Sequence, residues 1–177
     1  MVPYKLKNWI NIENLDWSYL SNNINSIELL KKYPDKINWE TLSSNPNALE
    51  IIENNIEKIN WDELSGNPNA IHLLERNIDK INWNMLSTNH NAIHILEKNI
   101  NKIKWYELSG NPSAIHILEN FPDEINWRAL SLNTHPRAIK LLENNKNKID
   151  WYLILKNPKA IHIIREVIYV FNPYLSL

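Results

Sequence analysis

The feature that most constrains this chain is a tryptophan that returns at a fixed interval. Seven tryptophans lie 22 residues apart, with a single step of 24: Trp17, Trp39, Trp61, Trp83, Trp105, Trp127 and Trp151. A fixed period of this length indicates a tandem array in which each unit buries its apolar face against the next. We therefore predict one solenoid domain over residues 1–177, with an N-terminal cap at 1–14, repeats at 15–162 and a C-terminal cap at 163–177.

One unit, which reads NPNAIHLLERNIDKINWNMLST, predicts two short helices. Asn67 and Pro68 suit an N-cap and a first helical position, and the apolar residues that follow predict an amphipathic helix of about three turns. Asn77 tolerates the left-handed conformation that ends many helices. Asn82 is the expected N-cap of a second, shorter helix that begins at Trp83. The predicted fold class is all-α, an α-solenoid of about seven two-helix repeats with α/3-10-like units.

A leucine-rich-repeat-like solenoid is the alternative fold, because 22 residues lies within the range of those repeats and the LxxN segments resemble part of their motif. A strand would need apolar residues two positions apart. In this unit Trp83 and Leu86 are three apart, and Ala70 and Leu74 are four apart. That spacing favours the helical interpretation.

The repeat also resembles two known groups. A short helix followed by NPxAIxxLLE is similar to the leucine-rich repeat variant, a solenoid of alternating α- and 3-10 helices whose usual repeat is slightly longer. The motif INWxxLSxNPNAIHxLE more closely resembles the Asn- and Ile-rich tandem repeats of mimivirus-like giant DNA viruses. The resemblance covers about residues 15–165. It implies a viral protein of the host cytoplasm and implies no catalytic residues.

Charge and composition argue against several classes of partner and location. The 19 basic and 20 acidic residues leave a net charge of -1, which argues against the broad electrostatic attraction that drives nucleic-acid or anionic-membrane binding. The chain has no cysteine, which excludes disulfides and thiolate metal sites. The sequence has no apolar run of a signal peptide, and no stretch approaches the roughly 18 apolar residues that span a bilayer. We expect a cytoplasmic protein without a membrane partner.

Two ladders of equivalent residues are expected to be structural. One asparagine lies six residues after each repeat tryptophan: Asn23, Asn45, Asn67, Asn89, Asn111, Asn133 and Asn157. A carboxamide can satisfy the backbone groups that a buried turn leaves unpaired. Each tryptophan lies three residues before a core Leu or Ile, so we expect the indoles to be buried between repeats. The competing hypothesis is an exposed aromatic groove that binds single-stranded nucleic acid or carbohydrate.

Histidines and charged residues form further ladders. One position reads Glu28, Glu50, His72, His94, His116, Lys140 and His162 in successive repeats. A single file of histidines on a solvent face does not converge as zinc ligands must, so neither a metal nor another cofactor is expected. Two ladders of opposite charge suggest exposed ion pairing, worth about 0 to 1 kcal/mol per pair. They are Glu53, Glu75, Glu97, Glu119 and Glu143, and Lys36, Lys58, Lys80, Lys102 and Lys148.

Two departures from the repeat are the predicted partner-binding sites. Thr134 and His135 are inserted in the sixth repeat, which is expected to lengthen one turn and make it protrude. The C-terminal segment is strongly apolar and contains Phe171 and Tyr174. It is expected either to fold back as a cap or to dock on another molecule, which leaves open a homo-oligomer through this end.

The repeats carry no phosphate loop, metalloprotease motif or nucleophile elbow, so no catalytic residue is predicted. We expect a non-enzymatic repeat scaffold for protein–protein interaction, whose partner the sequence does not identify. The alternative is the nucleic-acid or carbohydrate reader, which needs an exposed tryptophan groove.

Overall fold

The computed structural model describes residues 6–163 and 165, and within them every regular element is helical. An α-helix begins at each repeat tryptophan, and we call these the Trp helices: α1 (Trp17–Asn22), α3 (Trp39–Ser43), α5 (Trp61–Gly66), α7 (Trp83–Thr88), α9 (Trp105–Gly110), α11 (Trp127–Leu130) and α13 (Trp151–Ile154). The companion helices alternate with them: α2 (Ile27–Lys32), α4 (Leu49–Glu53), α6 (Ile71–Arg76), α8 (Ile93–Glu97), α10 (Ile115–Asn120) and α12 (Pro136–Asn144). The all-α repeat array is confirmed.

Short 3-10 helices complete the repeats. They are Ile12–Asn14, Pro34–Lys36, Ile78–Lys80, Ile100–Lys102, Pro112–Ala114, Pro122–Glu124 and Lys146–Lys148. Most of them follow a companion helix and lead into the next Trp helix. This alternation of α- and 3-10 helices agrees with the predicted fold class.

The Trp helices begin where their caps predict. Asn82 Oδ1 accepts hydrogen bonds from the backbone N–H groups of Asn84 and Met85, at 3.0 and 3.3 Å. Helix α7 therefore begins at Trp83, as predicted. An Asp or Asn side chain caps α1, α3, α5, α11 and α13 in the same way. Lys104, whose side chain has no acceptor atom, precedes α9.

Except for α12, the companion helices begin later and are shorter than predicted. Asn67 Oδ1 accepts from the backbone N–H of Asn69 at 3.0 Å, which folds residues 67–69 into a turn. Helix α6 then begins at Ile71 and holds six residues, less than two turns. The predicted start at Pro68 is wrong because the carboxamide turns the chain before the helical ladder can begin.

The predicted left-handed end of the companion helices is also wrong. Asn77 has φ -135° and ψ 51°, and no described residue has a positive φ. Instead, Asn77 Nδ2 donates to the carbonyl of Leu73 at 2.9 Å. The side chain thus satisfies one of the last helical carbonyls, which a left-handed turn would otherwise do. Asn55, Asn99 and Asn145 cap the preceding turn in the same way.

Three ladders of fully buried side chains form the core of the repeats. The Trp helices contribute Leu42, Leu64, Leu86, Leu108, Leu130 and Ile154, and the companion helices contribute Leu30, Ile52, Leu74, Leu96, Leu118 and Leu142. Ala48, Ala70, Ala92, Ala114, Ala138 and Ala160 form the third ladder just before or within the start of a companion helix. Isolated helices of this length are marginal in water, so burial against neighbouring repeats stabilises them.

A buried polar network joins neighbouring repeats. Asn67 Nδ2 donates to the carbonyls of Ser43 and Asn45 in the preceding repeat, at 3.0 and 3.1 Å. Ser43 Oγ in turn accepts from the backbone N–H of Asn60, the N-cap of the next Trp helix, at 2.9 Å. Equivalent serine contacts recur at Ser21, Ser65, Ser109 and Ser131. In the described part of the chain, no buried side-chain nitrogen or oxygen lacks a hydrogen-bond partner.

Contacts divide the chain into two compact units, unit 1 (Met1–Asn91) and unit 2 (Ala92–Leu177). In unit 1, α1 packs against α3, α3 against α5 and α5 against α7, and in unit 2, α9 packs against α11. Within each unit the Trp helices therefore contact their neighbours in sequence, as in a solenoid. The single domain over 1–177 stays a prediction, and the predicted C-terminal cap lies almost wholly outside the described residues. None of the described helices is long and apolar enough to cross a bilayer.

Candidate interaction surface

The asparagine ladder lies in the interior of the repeats. Asn45, Asn67, Asn89, Asn111, Asn133 and Asn157 are at most 3% exposed, and Asn23 at the start of the array is half-buried. At Asn67 both amide protons and the carbonyl oxygen of the side chain are used in backbone hydrogen bonds. A buried carboxamide with every group paired has no atom left to bind a ligand. The surface of the protein is therefore made by other residues.

The tryptophans are less buried than predicted. Six of the repeat tryptophans are half-buried, and Trp151 is 44% exposed. The fully buried leucines fill the core, and a lysine of the next repeat lies over the ring of Trp39, Trp61 and Trp127. Lys80 Nζ lies 4.6 Å from the ring centre of Trp61, and Lys148 Nζ lies 4.5 Å from that of Trp127. The indoles therefore contribute to the surface as cation–π partners of lysine.

Trp61→Ala is expected to lower the free energy of unfolding by about 2 kcal/mol, less than the roughly 3 to 5 kcal/mol of a fully buried tryptophan. The ring is half exposed, so its removal opens a smaller cavity. Lys80→Met, which keeps the alkyl chain and removes the ammonium, should lower it by only about 0.5 to 1 kcal/mol. Urea denaturation measures both. Equal losses in the two variants would mean that the indole contributes nothing beyond its lysine contact.

The predicted pairing of the glutamate and lysine ladders is wrong. The lysines at Lys58, Lys80 and Lys148 lie over tryptophan rings, and the glutamates contact the histidine position of the next repeat instead. The Oε1 to Nε2 distances are 2.7 Å for Glu53 and His72, and 2.8 Å for Glu97 and His116 and for Glu143 and His162. The histidines therefore link neighbouring companion helices, although these exposed pairs are individually weak.

Two further positions of the same ladder use other residues. Lys31 Nζ donates to Glu50 at 2.7 Å, and this hydrogen bond raises the pKa of Lys31 above its ordinary value. Arg137 donates to Glu119 at 2.8 Å. Among the described residues, no three His, Asp or Glu side chains converge where a metal ion could bind.

The inserted residues do not form a protruding turn. Thr134 and His135 are half-buried, and His135 Nδ1 accepts from the backbone N–H of Arg137 at 3.1 Å. His135 is therefore the N-cap of α12, which begins at Pro136 and holds nine residues, longer than the other companion helices. The two extra residues supply a cap that the other repeats lack. Thr134 lines a cleft of about 480 Å³. Phe171 and Tyr174 lie outside the described residues.

An exposed position that sequence reasoning overlooked recurs on the Trp helices of each unit. It consists of the residue directly after each repeat tryptophan, and we call it the outward row: Ser18, Glu40, Asp62 and Asn84 in unit 1, and Tyr106, Arg128 and Tyr152 in unit 2. All seven side chains are exposed. The signal for this row was present in the sequence, since this position varies while positions two and five residues further along hold a core Leu or Ile and the invariant Asn.

The two units have opposite charge. Unit 1 carries 8 Lys and Arg against 12 Asp and Glu, a net charge of -4. Unit 2 carries 11 Lys and Arg against 8 Asp and Glu, a net charge of +3. The overall charge of -1 therefore conceals an acidic and a basic half. The outward row follows the same division, because its acidic residues lie in unit 1 and its arginine in unit 2.

No protein family model, curated protein or solved structure matches this chain. The resemblance to the viral repeats and to the leucine-rich repeat variant therefore stays an expectation drawn from the motif.

Proposed function

We propose that this protein is a non-enzymatic repeat scaffold that binds another protein through the outward row. One observation carries the proposal: a constant, buried framework presents an exposed position that differs from repeat to repeat. The framework of Leu, Ala and Asn ladders fixes the backbone of each repeat, while the outward row reads Ser, Glu, Asp, Asn, Tyr, Arg and Tyr. Repeat proteins bind partners in this way, through variable side chains on stacked, nearly identical units.

The composition of the row in unit 2 supports a protein partner. Tyr106 is 52% exposed and Tyr152 is 67% exposed, and Arg128 lies between them in the row. Tyrosine and arginine are enriched among the residues that contribute most to protein–protein binding, because they offer large contact area together with hydrogen-bond donors. The motif resemblance extends the proposal to a viral protein whose partner is a host or viral factor.

The nucleic-acid or carbohydrate reader remains the second candidate, because the tryptophans are half-exposed. Its weakness is that lysines already cover the rings of Trp39, Trp61 and Trp127 at 4.5 to 5.2 Å. A base or sugar would have to displace these ammonium groups before it could stack. Binding of single-stranded DNA with a steep salt dependence, measured by fluorescence anisotropy and lost in Trp61→Ala, would favour this reader.

We expect affinity purification followed by mass spectrometry to recover a protein that depends on the row. The test bait carries Tyr106→Ser, Arg128→Glu and Tyr152→Ser, which alter exposed side chains only. The partner should bind the unaltered protein and be lost from this triple variant. Lys98→Ser with Lys146→Ser, two exposed changes outside both the row and the cleft that Thr134 lines, provides the matched control and should retain it.

The inserted residues are tested in the same experiment. Deleting both would also remove the cap of α12, so Thr134→Arg is the better variant, because it leaves His135 in place. Loss of the partner from Thr134→Arg, with retention by the triple row variant, would move the binding site to the cleft beside Thr134. Equal capture by all of these baits would contradict the proposed surface.

A further inference from the structure

We propose that the protein self-associates, with the outward row of unit 1 in one molecule facing the outward row of unit 2 in a second molecule. This inference rests on the proposed function, because it names a second copy of the chain as the partner of the outward row. It is tested with the purified protein alone. The proposed homo-oligomeric contact lies on the Trp helices, whereas the sequence analysis expected such a contact at the C-terminal end.

The unit 2 side of the contact is aromatic and basic. Arg128 and Leu132 are four residues apart, as are Tyr152 and Lys156, so each pair lies on one side of its helix or its last turn. Lys156 Nζ lies 4.4 Å from the ring centre of Tyr152, which confirms that the latter two share a side. Leu132 is 42% exposed and Leu155 is 65% exposed. Large side chains therefore project from this part of the row and from the positions beside it, including apolar ones that a second molecule could cover.

The unit 1 side of the contact is acidic and has small residues beside its carboxylates. Glu40 and Asp62 are exposed in successive repeats. The residues four positions after them are Ser44 and Gly66, which are small, whereas those four positions after Arg128 and Tyr152 are Leu132 and Lys156. Small residues beside carboxylates leave room for the large side chains of the opposite row. At these positions the two rows thus complement each other both in charge and in side-chain size.

Arg128 retains donors for a partner. Its Nε lies 3.7 Å from Asp150 Oδ2, which is longer than a hydrogen bond, and the side chain is 67% exposed. A guanidinium has five N–H donors and pairs well with a carboxylate in two-point geometry. Glu40 of a second molecule presents such a carboxylate with no ion pair of its own among the described residues.

The charge of the whole units favours this orientation over the alternatives. Two copies of unit 1 carry -4 each and repel each other, as do two copies of unit 2 at +3 each, while the mixed pairing attracts. Electrostatic complementarity of this kind selects the orientation and accelerates association more than it raises affinity. Because the charges are exposed, salt should screen the attraction. A contact between different surfaces of two copies either closes into a ring or dimer or continues as a chain.

Sedimentation velocity over a wide range of protein concentration, at low and high salt, tests the proposal. We expect association that increases with concentration and weakens with salt. Arg128→Glu alone, and Glu40→Arg combined with Asp62→Arg, should each weaken it by about tenfold or more. An equimolar mixture of these two variants should recover association, because each supplies the intact row that the other lacks.

The matched controls make the same changes of charge at residues outside the row. Lys159→Glu controls for Arg128→Glu, and Glu57→Arg with Asp79→Arg controls for the double variant, since all three residues are exposed. Circular dichroism verifies that each variant is folded. A monomer at every concentration, equal weakening by the controls, or a mixture that stays monomeric would each overturn the proposal. A protein that stays monomeric but still captures a different protein through the row would overturn self-association alone. A protein that self-associates through the row but captures no other protein would overturn only the binding of a different protein.

Discussion

Replacing Asn67 with alanine is expected to lower the free energy of unfolding by about 2 to 4 kcal/mol, because it leaves several buried backbone groups without partners. The side chain donates to the carbonyls of Ser43 and Asn45 and accepts from the N–H of Asn69. The residue is 0% exposed, so water does not reach these groups to replace the lost bonds. Thermal or urea denaturation of the variant measures the loss.

A matched control lies two residues away. Asn69 is exposed, and its Nδ2 donates a single hydrogen bond to the carbonyl of Pro46 at 2.9 Å. Asn69→Ala should lower the free energy of unfolding by no more than about 0.5 to 1 kcal/mol, since water replaces that bond. Asn67→Asp retains the acceptor but removes both donors and buries a charge, so it should be at least as damaging as Asn67→Ala. If Asn67→Ala and Asn69→Ala were equally mild, the buried network would not hold the repeats together.

The caps show which parts of the fold a single unit specifies. Asn82 caps α7 through contacts with Asn84 and Met85, all within four residues, so the sequence predicts that helix start correctly. The start of α6 is different, because Asn67 bonds to Ser43 and Asn45 in another repeat. Those partners hold the Asn67 carboxamide in the position in which it folds the turn. They cannot be identified from the sequence of a single repeat.

The predicted pairing of the surface ladders was wrong for a related reason. The sequence identifies the ladder residues, but the partner of each depends on how far neighbouring repeats are offset. The structure pairs Glu53 with His72, 19 residues further along, and places Lys80 over Trp61. A helical wheel drawn for one repeat gives the direction of each side chain and says nothing of this offset. The same offset places Lys58 over the ring of Trp39 in the preceding repeat.

Leu64→Ala is expected to have the largest effect of all, a loss of about 3 to 5 kcal/mol in the free energy of unfolding. Leu64 is 0% exposed on α5, which packs against both α3 and α7, so the cavity lies between two neighbours that cannot both close it. Ile56→Ala removes as many carbon atoms as Leu64→Ala, but from a side chain that is 39% exposed, so it should lower the free energy of unfolding by only about 1 kcal/mol.

The location of the damage tests the architecture more closely than its size. In a solenoid the stability is a sum of terms within repeats and between nearest neighbours, so a defect weakens adjacent repeats most. Hydrogen exchange of Leu64→Ala should therefore accelerate most in α3, α5 and α7, and less in α1, which packs against α3 but not α5 among the principal contacts. Equal acceleration in all four helices would mean that unit 1 opens as one cooperative body. In that case the Leu and Asn ladders would act as one shared core, and nearest-neighbour coupling would not describe this protein.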